Sequence, residues 1–548
     1  MSQPTRREAI TLAAGTIAAA AFPQNAAAAS PRASLPCGFK RSAGWSRTFE
    51  GQRCADRGDG TFLNPVLAGS HADPSVLRDG DDYYLTFSSF EADPGLLIWH
   101  SRDLVNWQPL VNALPDPIGS VFAVDLIKHD GRYFIYIPFI PTSWSRGLND
   151  GAAIYVIHAD SIRGPWSRPI DLGVRGRIDP GHAVGEDGKR YLFLSAGYRV
   201  RLSDNGLATE GPVEKVYDGW KYPDDWVTEA YALEGAKMLR RGDWFYMVSA
   251  VGGTAGPATG HMVIAARARS IDGPWEDCPH NPIVRSTSDS DAWWSRGHAS
   301  LVEGPSGDWW MVYHGFENGF RTLGRQCLLE PIEWTADGWF RANGGDLSRP
   351  MPKPRGGTSQ PHGMPRSDDF RTLALGARWV FHAPGENEAA RATAGAGGLR
   401  LAARGTGPEN SSPLTNTVGN RAYEVTVEVE LEGEAVGGLL LFFSSRLFLG
   451  MAIDGKRMVT YGAGRVHHWR EAAPPARRIW LRIENRDHIV TMFYSLDGAV
   501  WTRHGLRFET SGYNINTAVP GEGENLRPAL FSAGMGAVRF RNFKYRAL

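Results

Sequence analysis

The chain has 548 residues, too many for one ordinary hydrophobic core, so two or more domains are expected. Its 59 lysines and arginines balance 59 aspartates and glutamates, and this zero formal charge gives no support for a nucleic-acid partner. The four cysteines, Cys37, Cys54, Cys278 and Cys327, fit no zinc-ligand spacing.

In chain order, the first segment is "TRREAITLAAGTIAAAAFPQNAAAAS". Arg6 and Arg7 precede a weakly apolar run, and small residues near Ala27 to Ala29 offer a cleavage pattern. The run is short for a bilayer span. Residues 1–30 resemble a twin-arginine export signal, which predicts a bacterial periplasmic or extracellular protein with no membrane span in its mature form. Residues 31–60 read as an N-terminal extension. In an oxidising compartment Cys37 and Cys54 would close a short local loop, and the pairing stays open.

From residue 61 to 345 one phrase recurs: "DGDDYYLTFSS", "HDGRYFIYIPF", "EDGKRYLFLSA", "RGDWFYMVSA" and "SGDWWMVYHG". Each copy is a glycine turn followed by an aromatic-rich apolar strand. The glycines are Gly80, Gly131, Gly188, Gly242 and Gly307, spaced by 51, 57, 54 and 65 residues. That period suits one four-stranded blade, so five copies predict a five-bladed β-propeller. Just upstream of each glycine stands an ionisable residue: Asp73, Asp125, Asp179 with His182, Glu234, and His298. If the strand before each turn is innermost, these side chains converge on the axis. Gathering them there costs desolvation energy for no structural gain, which argues for function. Taken singly, Asp73 and Asp179 each precede a proline and read equally well as turn residues.

Residues 346–365, "DLSRPMPKPRGGTSQPHGMP", are rich in Pro and Gly and read as a linker. In residues 366–548, "YEVTVEVELEG" alternates as a half-exposed antiparallel strand should.

The stretch "NPVLAGSHADPSVLRDGDDYYLTFSSFEADPGLLIWHSRDLVNW" resembles the first blade of glycoside hydrolase family 43, and "GRQCLLEPIEWTADGWF" resembles the end of its propeller. "SDDFRTLALGARWVF" and "LRPALFSAGMGAVRFRNFKYR" resemble the concanavalin-like β-sandwich appended to β-xylosidase and α-L-arabinofuranosidase members. The resemblance implies an all-β protein, a five-bladed propeller followed by a β-sandwich. It implies inverting hydrolysis that releases terminal β-D-xylose or α-L-arabinofuranose from plant hemicellulose or pectin oligosaccharides. An endo-arabinanase with an open cleft and a non-catalytic carbohydrate-binding protein are the competing readings.

The resemblance also implies roles. Asp73 matches the general base, Asp125 the aspartate that tunes and orients the acid, and Glu234 the general acid, with Glu229 a poorer match for the acid. Arg325 matches a substrate-reaching position. Phe122, where the family's motif usually has tryptophan, would form an apolar wall under a sugar. His298 matches a histidine that in some members holds calcium or water on the axis; neutral imidazole is a poor calcium ligand, so such an ion would be held mostly by water. The reaction itself needs no cofactor. The segment 510–526 is the candidate for a sandwich loop reaching the active site.

Overall fold

The computed structural model describes residues 44–148, 151–467, 475–517 and 525–548. The export-signal reading and Cys37 lie outside them. Cys54, Cys278 and Cys327 are buried free thiols. Among the described residues no helix is long and apolar enough to cross a membrane.

Each sequence repeat is the inner hairpin of one sheet. The innermost strands are Ser75–Asp79, Asp125–His129, Gly181–Val184, Glu234–Arg241 and Trp293–Glu303, each antiparallel to the aromatic strand that follows it. Further strands add outward in chain order. The five inner strands touch in a ring, the fifth returning to the first, so five blades radiate from one axis. The turn glycines all have positive φ, from 60° at Gly242 to 82° at Gly307. Pairing of Asp79 with Asp82, His129 with Arg132 and Arg241 with Trp244 leaves two-residue turns, where that conformation favours glycine. The second strands are covered on both faces by neighbouring blades. Tyr133 to Phe139 is buried throughout, which is why the repeats read as continuous apolar runs rather than as alternation.

The ring is fastened by the chain leading into blade 1. Leu67 bridges Cys327, the His71 amide donates to the Arg325 carbonyl (2.8 Å), and the Asn64 side chain both donates to and accepts from the Leu329 backbone at 2.9 Å.

The sandwich is built on two long strands, Ala422–Ser444 and Arg527–Ala547, which pair from Tyr423 with Ala547 to Phe442 with Arg527. Strands Arg478–Arg486, Ile489–Ser495 and Thr502–Glu509 extend from the first half of Ala422–Ser444, and Leu447–Ile453, Met458–Gly462 and Arg465–His467 from its second half, in one continuously hydrogen-bonded sheet. Val425, Val427 and Val429 point into the core, each 0% exposed, as the alternation predicted.

The described residues form one compact unit. Ala92–Asp93, an excursion from blade 1, pairs with Val380–His382 at the edge of a sandwich sheet. The stretch read as a linker is pinned rather than free. Met351–Pro352 pairs with Thr61–Phe62, and Lys353 Nζ contacts Asp56 (2.6 Å) and Asp103 (3.0 Å). Its Pro and Gly content excludes long regular elements without conferring mobility. At the same junction Arg53 grips the buried Glu317 with two hydrogen bonds (3.1 and 2.9 Å), and Arg421 adds two more at 2.9 and 2.5 Å.

Burial alone would raise the Glu317 carboxyl, but Arg53 and Arg421 outweigh it and hold the group at about 2. A depressed carboxyl adds stability above its unfolded value, and that stability is lost as pH falls through the folded one. Glu317→Gln should cost about 3 kcal/mol at neutral pH in urea unfolding. It should also flatten the fall in stability between the ordinary glutamate value of 4.5 and about 2.

Candidate active site

A cavity with about 870 Å³ of empty space opens at the propeller axis. Asp73, Asp179, Glu234, His298 and Arg325 line it, with Phe90 and Phe122 as a wall and Ile515 reaching in from the sandwich. Phe122 meets Phe90 edge-to-face at 5.5 Å. Ile515 belongs to the 510–526 segment anticipated from sequence.

Asp73 sits just ahead of the first inner strand and is buried. Its Oδ1 lies 2.8 Å from Arg325 Nη1, 3.1 Å from His314 Nδ1 and 3.5 Å from His298 Nδ1. Its Oδ2 accepts from Ser88 Oγ at 2.6 Å. Burial would push this carboxyl up; Arg325, His298 and His314 prevail and hold it well below the usual carboxylate range.

Glu234 opens the inner strand of blade 4 and is half-buried. Burial, then Asp179, then Asp73 push it well above the ordinary glutamate value. Asp179, ahead of the third inner strand, is raised by burial and then by Asp73. Asp179, Glu234 and His298 each offer a ligand atom within 4.8 Å of the others. Burial and the neighbouring carboxylates raise both groups, so the two bind protons as a pair. The Gly235 amide donates to Asp179 Oδ2 (3.0 Å). A Cβ on Gly235 would lie 2.9 Å from the His298 ring, and the residue has φ of 67°, so this position of "LEGAK" requires glycine.

Asp73, Asp179 and His298 have φ of 57°, 58° and 57°, a left-handed conformation that non-glycine residues rarely adopt. Each costs on the order of 1–3 kcal/mol, and such outliers gather at functional sites.

Asp125 does not line the cavity, which corrects its expected place beside the acid. The reason is register. Asp73 stands six residues before the end of its inner strand at Asp79, whereas Asp125 stands four before His129. Asp125 is therefore level with Ser75, whose Oγ lies 3.4 Å away, and with Lys237, four before Arg241. Lys237 Nζ approaches Asp125 Oδ1 at 2.8 Å, and the His182 amide donates to Oδ2 at 2.7 Å. This layer ties four blades together beneath the site. The position of blade 2 level with Asp73 is Ala123, which does line the cavity. Glu234 is seven residues before Arg241, but a bulge between Glu234 and Lys237 absorbs one, returning it to the level of Asp73.

The His182 ring turns aside to accept from Arg190 Nε (3.0 Å). Glu229 is exposed at the cavity mouth and accepts the Ala255 amide at 2.7 Å. Sequence reasoning missed Ser88 and His314. His314 interrupts the apolar second strand of blade 5, in "VYHG", and Ser88 follows the end of that of blade 1, in "TFSS"; those polar residues were the available signal.

A cation beside His298 would find a neutral ring, pushed down to about 3 by burial, whose Nε2 has no hydrogen-bond partner among the described residues. Calcium takes six to eight oxygens, and this donor set supplies one nitrogen and two carboxyls that favour protonation. The residues fit only an ion held chiefly by water.

The family model "Glycosyl hydrolases family 43" matches residues 62–340. The chain belongs to glycosyl hydrolase family 43. The model "Beta xylosidase C-terminal Concanavalin A-like domain" matches residues 367–523 of this glycoside hydrolase. Among curated relatives, a xylan 1,3-β-xylosidase of a Vibrio species is 30% identical over 504 residues, covering 81% of this chain and 90% of that protein. A non-reducing end α-L-arabinofuranosidase of Bacteroides ovatus is 33% identical over 59% of this chain and 61% of its own length. The solved family 43 protein BlXynB of Bacillus licheniformis is 25% identical with a TM-score of 0.78, covering 89% of this chain and all of the other.

Asp179→Asn should lower the Glu234 value, since it removes a neighbouring negative charge. The alkaline limb of kcat/KM against pH then moves to lower pH by about one unit. Asp125→Asn should leave that limb in place and appear instead as lost stability in a denaturant melt.

Proposed function

We propose that this family 43 enzyme is exported and exo-acting, and that it removes terminal β-D-xylose or α-L-arabinofuranose from plant hemicellulose or pectin oligosaccharides with inversion. The observation that carries the reading is the pairing of an ionised Asp73 with a proton-bearing Glu234 on separate blades of one cavity. Glu234 gives its proton to the glycosidic oxygen as the bond from the sugar's anomeric carbon breaks. Asp73 takes a proton from the water that attacks the opposite face. Asp179, rather than Asp125, keeps Glu234 protonated, and Arg325 with the histidines keeps Asp73 ionised. Inversion requires the two carboxyls to stand roughly 6.5–9.5 Å apart, leaving room for that water.

The pentose reading draws on the relatives, named for xylosidase and arabinofuranosidase activity. Exo action draws on Ile515, which narrows the cavity from the sandwich side, whereas an endo-arabinanase needs an open groove. No cofactor takes part in the chemistry, and a calcium ion beside His298 would be structural. Export rests on the twin arginines at positions 6 and 7.

Activity on paired p-nitrophenyl β-D-xyloside and α-L-arabinofuranoside, with NMR of the first-formed anomer, tests the reading; a retained configuration overturns it. Asp73→Asn and Glu234→Gln should each lower kcat by at least about 100-fold while the fold persists. Ordinary turnover by either variant removes the assignment.

A further inference from the structure

Glu229 stands on the stretch that leads into blade 4 and lines the mouth of the catalytic cavity. It is exposed, yet it is held in one place. Its amide donates to the Gly252 carbonyl at 3.0 Å, and its Oε2 accepts the Ala255 amide at 2.7 Å. The loop that supplies these contacts is shaped around it. A Cβ on Gly253, which has φ of 69°, would lie 2.5 Å from Glu229 Oε2, and one on Gly256 would lie 2.7 Å from the Glu229 nitrogen. Arg321 Nη2, from blade 5, donates to the Gly256 carbonyl at 3.2 Å and anchors the far end of the loop.

Ordering an exposed glutamate costs rotamer entropy, and one hydrogen bond in water repays little of it. Glu229 makes no ion pair among the described residues, and its Oε1 has no hydrogen-bond partner there. Thr254, on the same lining, also keeps its hydroxyl unspent among them. Position gives these free oxygens a use. Glu229, Ala230, Ala232 and Glu234 come from one stretch of chain and line one cavity, and the Glu229 charge is among those that raise Glu234. A proton donor acts on the oxygen of the departing group, so that group lies on the donor's side. In a pocket that takes the terminal sugar at its floor, the departing sugar is at the mouth. The lining beside Glu229 is small there, Ala230, Ala232, Gly253 and Ala255, which leaves room for a sugar ring.

We propose that Glu229 Oε1, with the Thr254 hydroxyl, binds the hydroxyls of the leaving-group sugar, so that the enzyme favours a sugar over an alkyl leaving group. The inference rests on the exo-glycosidase reading given above. A carboxylate oxygen accepts from a sugar hydroxyl in a charge-assisted hydrogen bond, stronger than a neutral one. Because the Gly253–Gly256 loop already holds the carboxylate, little ordering remains to be done when the sugar arrives.

The test measures kcat/KM of the wild type and of Glu229→Ala on xylobiose and on methyl β-D-xyloside. Where the wild type releases arabinose instead, arabinobiose and methyl α-L-arabinofuranoside take their place. Methanol needs the donor's proton no less than a sugar does, but it carries no ring hydroxyls. A substitution acting only through Glu234 or through loop packing therefore lowers both rates alike. The ratio of the disaccharide value to the methyl glycoside value should fall at least about tenfold in Glu229→Ala. An unchanged ratio overturns the proposal, whether both values hold or both drop together; in the second case Glu229 is a loop staple or a charge acting on Glu234. Should Glu229→Ala fail to fold, Glu229→Gln carries the test with a criterion of about threefold, since its amide oxygen can keep the Ala255 contact while its NH2 replaces the free acceptor. A wild type that releases pentose from neither disaccharide overturns the exo-glycosidase reading and this proposal with it, whereas release with an unchanged ratio overturns this proposal alone.

Discussion

The active site depends on an ion pair between residues 252 positions apart, Asp73 and Arg325. Nothing local brings them together. They meet because the chain before blade 1 is laid along the third strand of blade 5, where the His71 amide takes the Arg325 carbonyl and Asn64 clasps Leu329. Closing the propeller and pairing Asp73 with its guanidinium are therefore one event. The same closure brings His314 and His298 of blade 5 against the Asp73 carboxylate.

Burial alone would treat the three carboxyls of the cavity alike and raise them all. Their neighbours separate them. Asp73 faces a guanidinium and two imidazoles and stays ionised, whereas Asp179 and Glu234 face chiefly each other and Asp73. A lowered carboxyl and two raised ones thus coexist within one desolvated space, and the division follows from which blade each stands on. Below them, Asp125 and Lys237 show the alternative use of charge on the same axis, a matched pair that joins blades.

Much of this was legible in the residues. The five glycines marked the inner hairpins because a two-residue turn between twisted strands favours positive φ. The apolar runs marked strands covered on both faces. The ring of ionisable residues was real, but its layers were not readable by counting back from glycine. Gly80 is the first residue of its turn and Gly131 the second, and blade 4 carries a bulge. Those small offsets moved Asp125 one layer down the channel and left Asp179 as the partner of Glu234. The docked stretch 346–365 was illegible for another reason. Its fixation comes from Asp56 and Asp103, distant carboxylates that local composition cannot reveal.

The fastening of the ring orders the chain's assembly in time. Residues 64–73 leave the ribosome early, yet their partners at 325–329 come some 250 residues later, and Arg53 waits 264 residues for Glu317. Contacts so distant in sequence form slowly, because the loop entropy is lost before the contact is gained. Asp179 and Glu234 adjoin on blades 3 and 4 and need no such closure to meet. A propeller open between its first and last blades would leave Asp73 short of its guanidinium, and burial would then favour its protonated form. The ionised state of Asp73 is consequently a report that the circle has been joined.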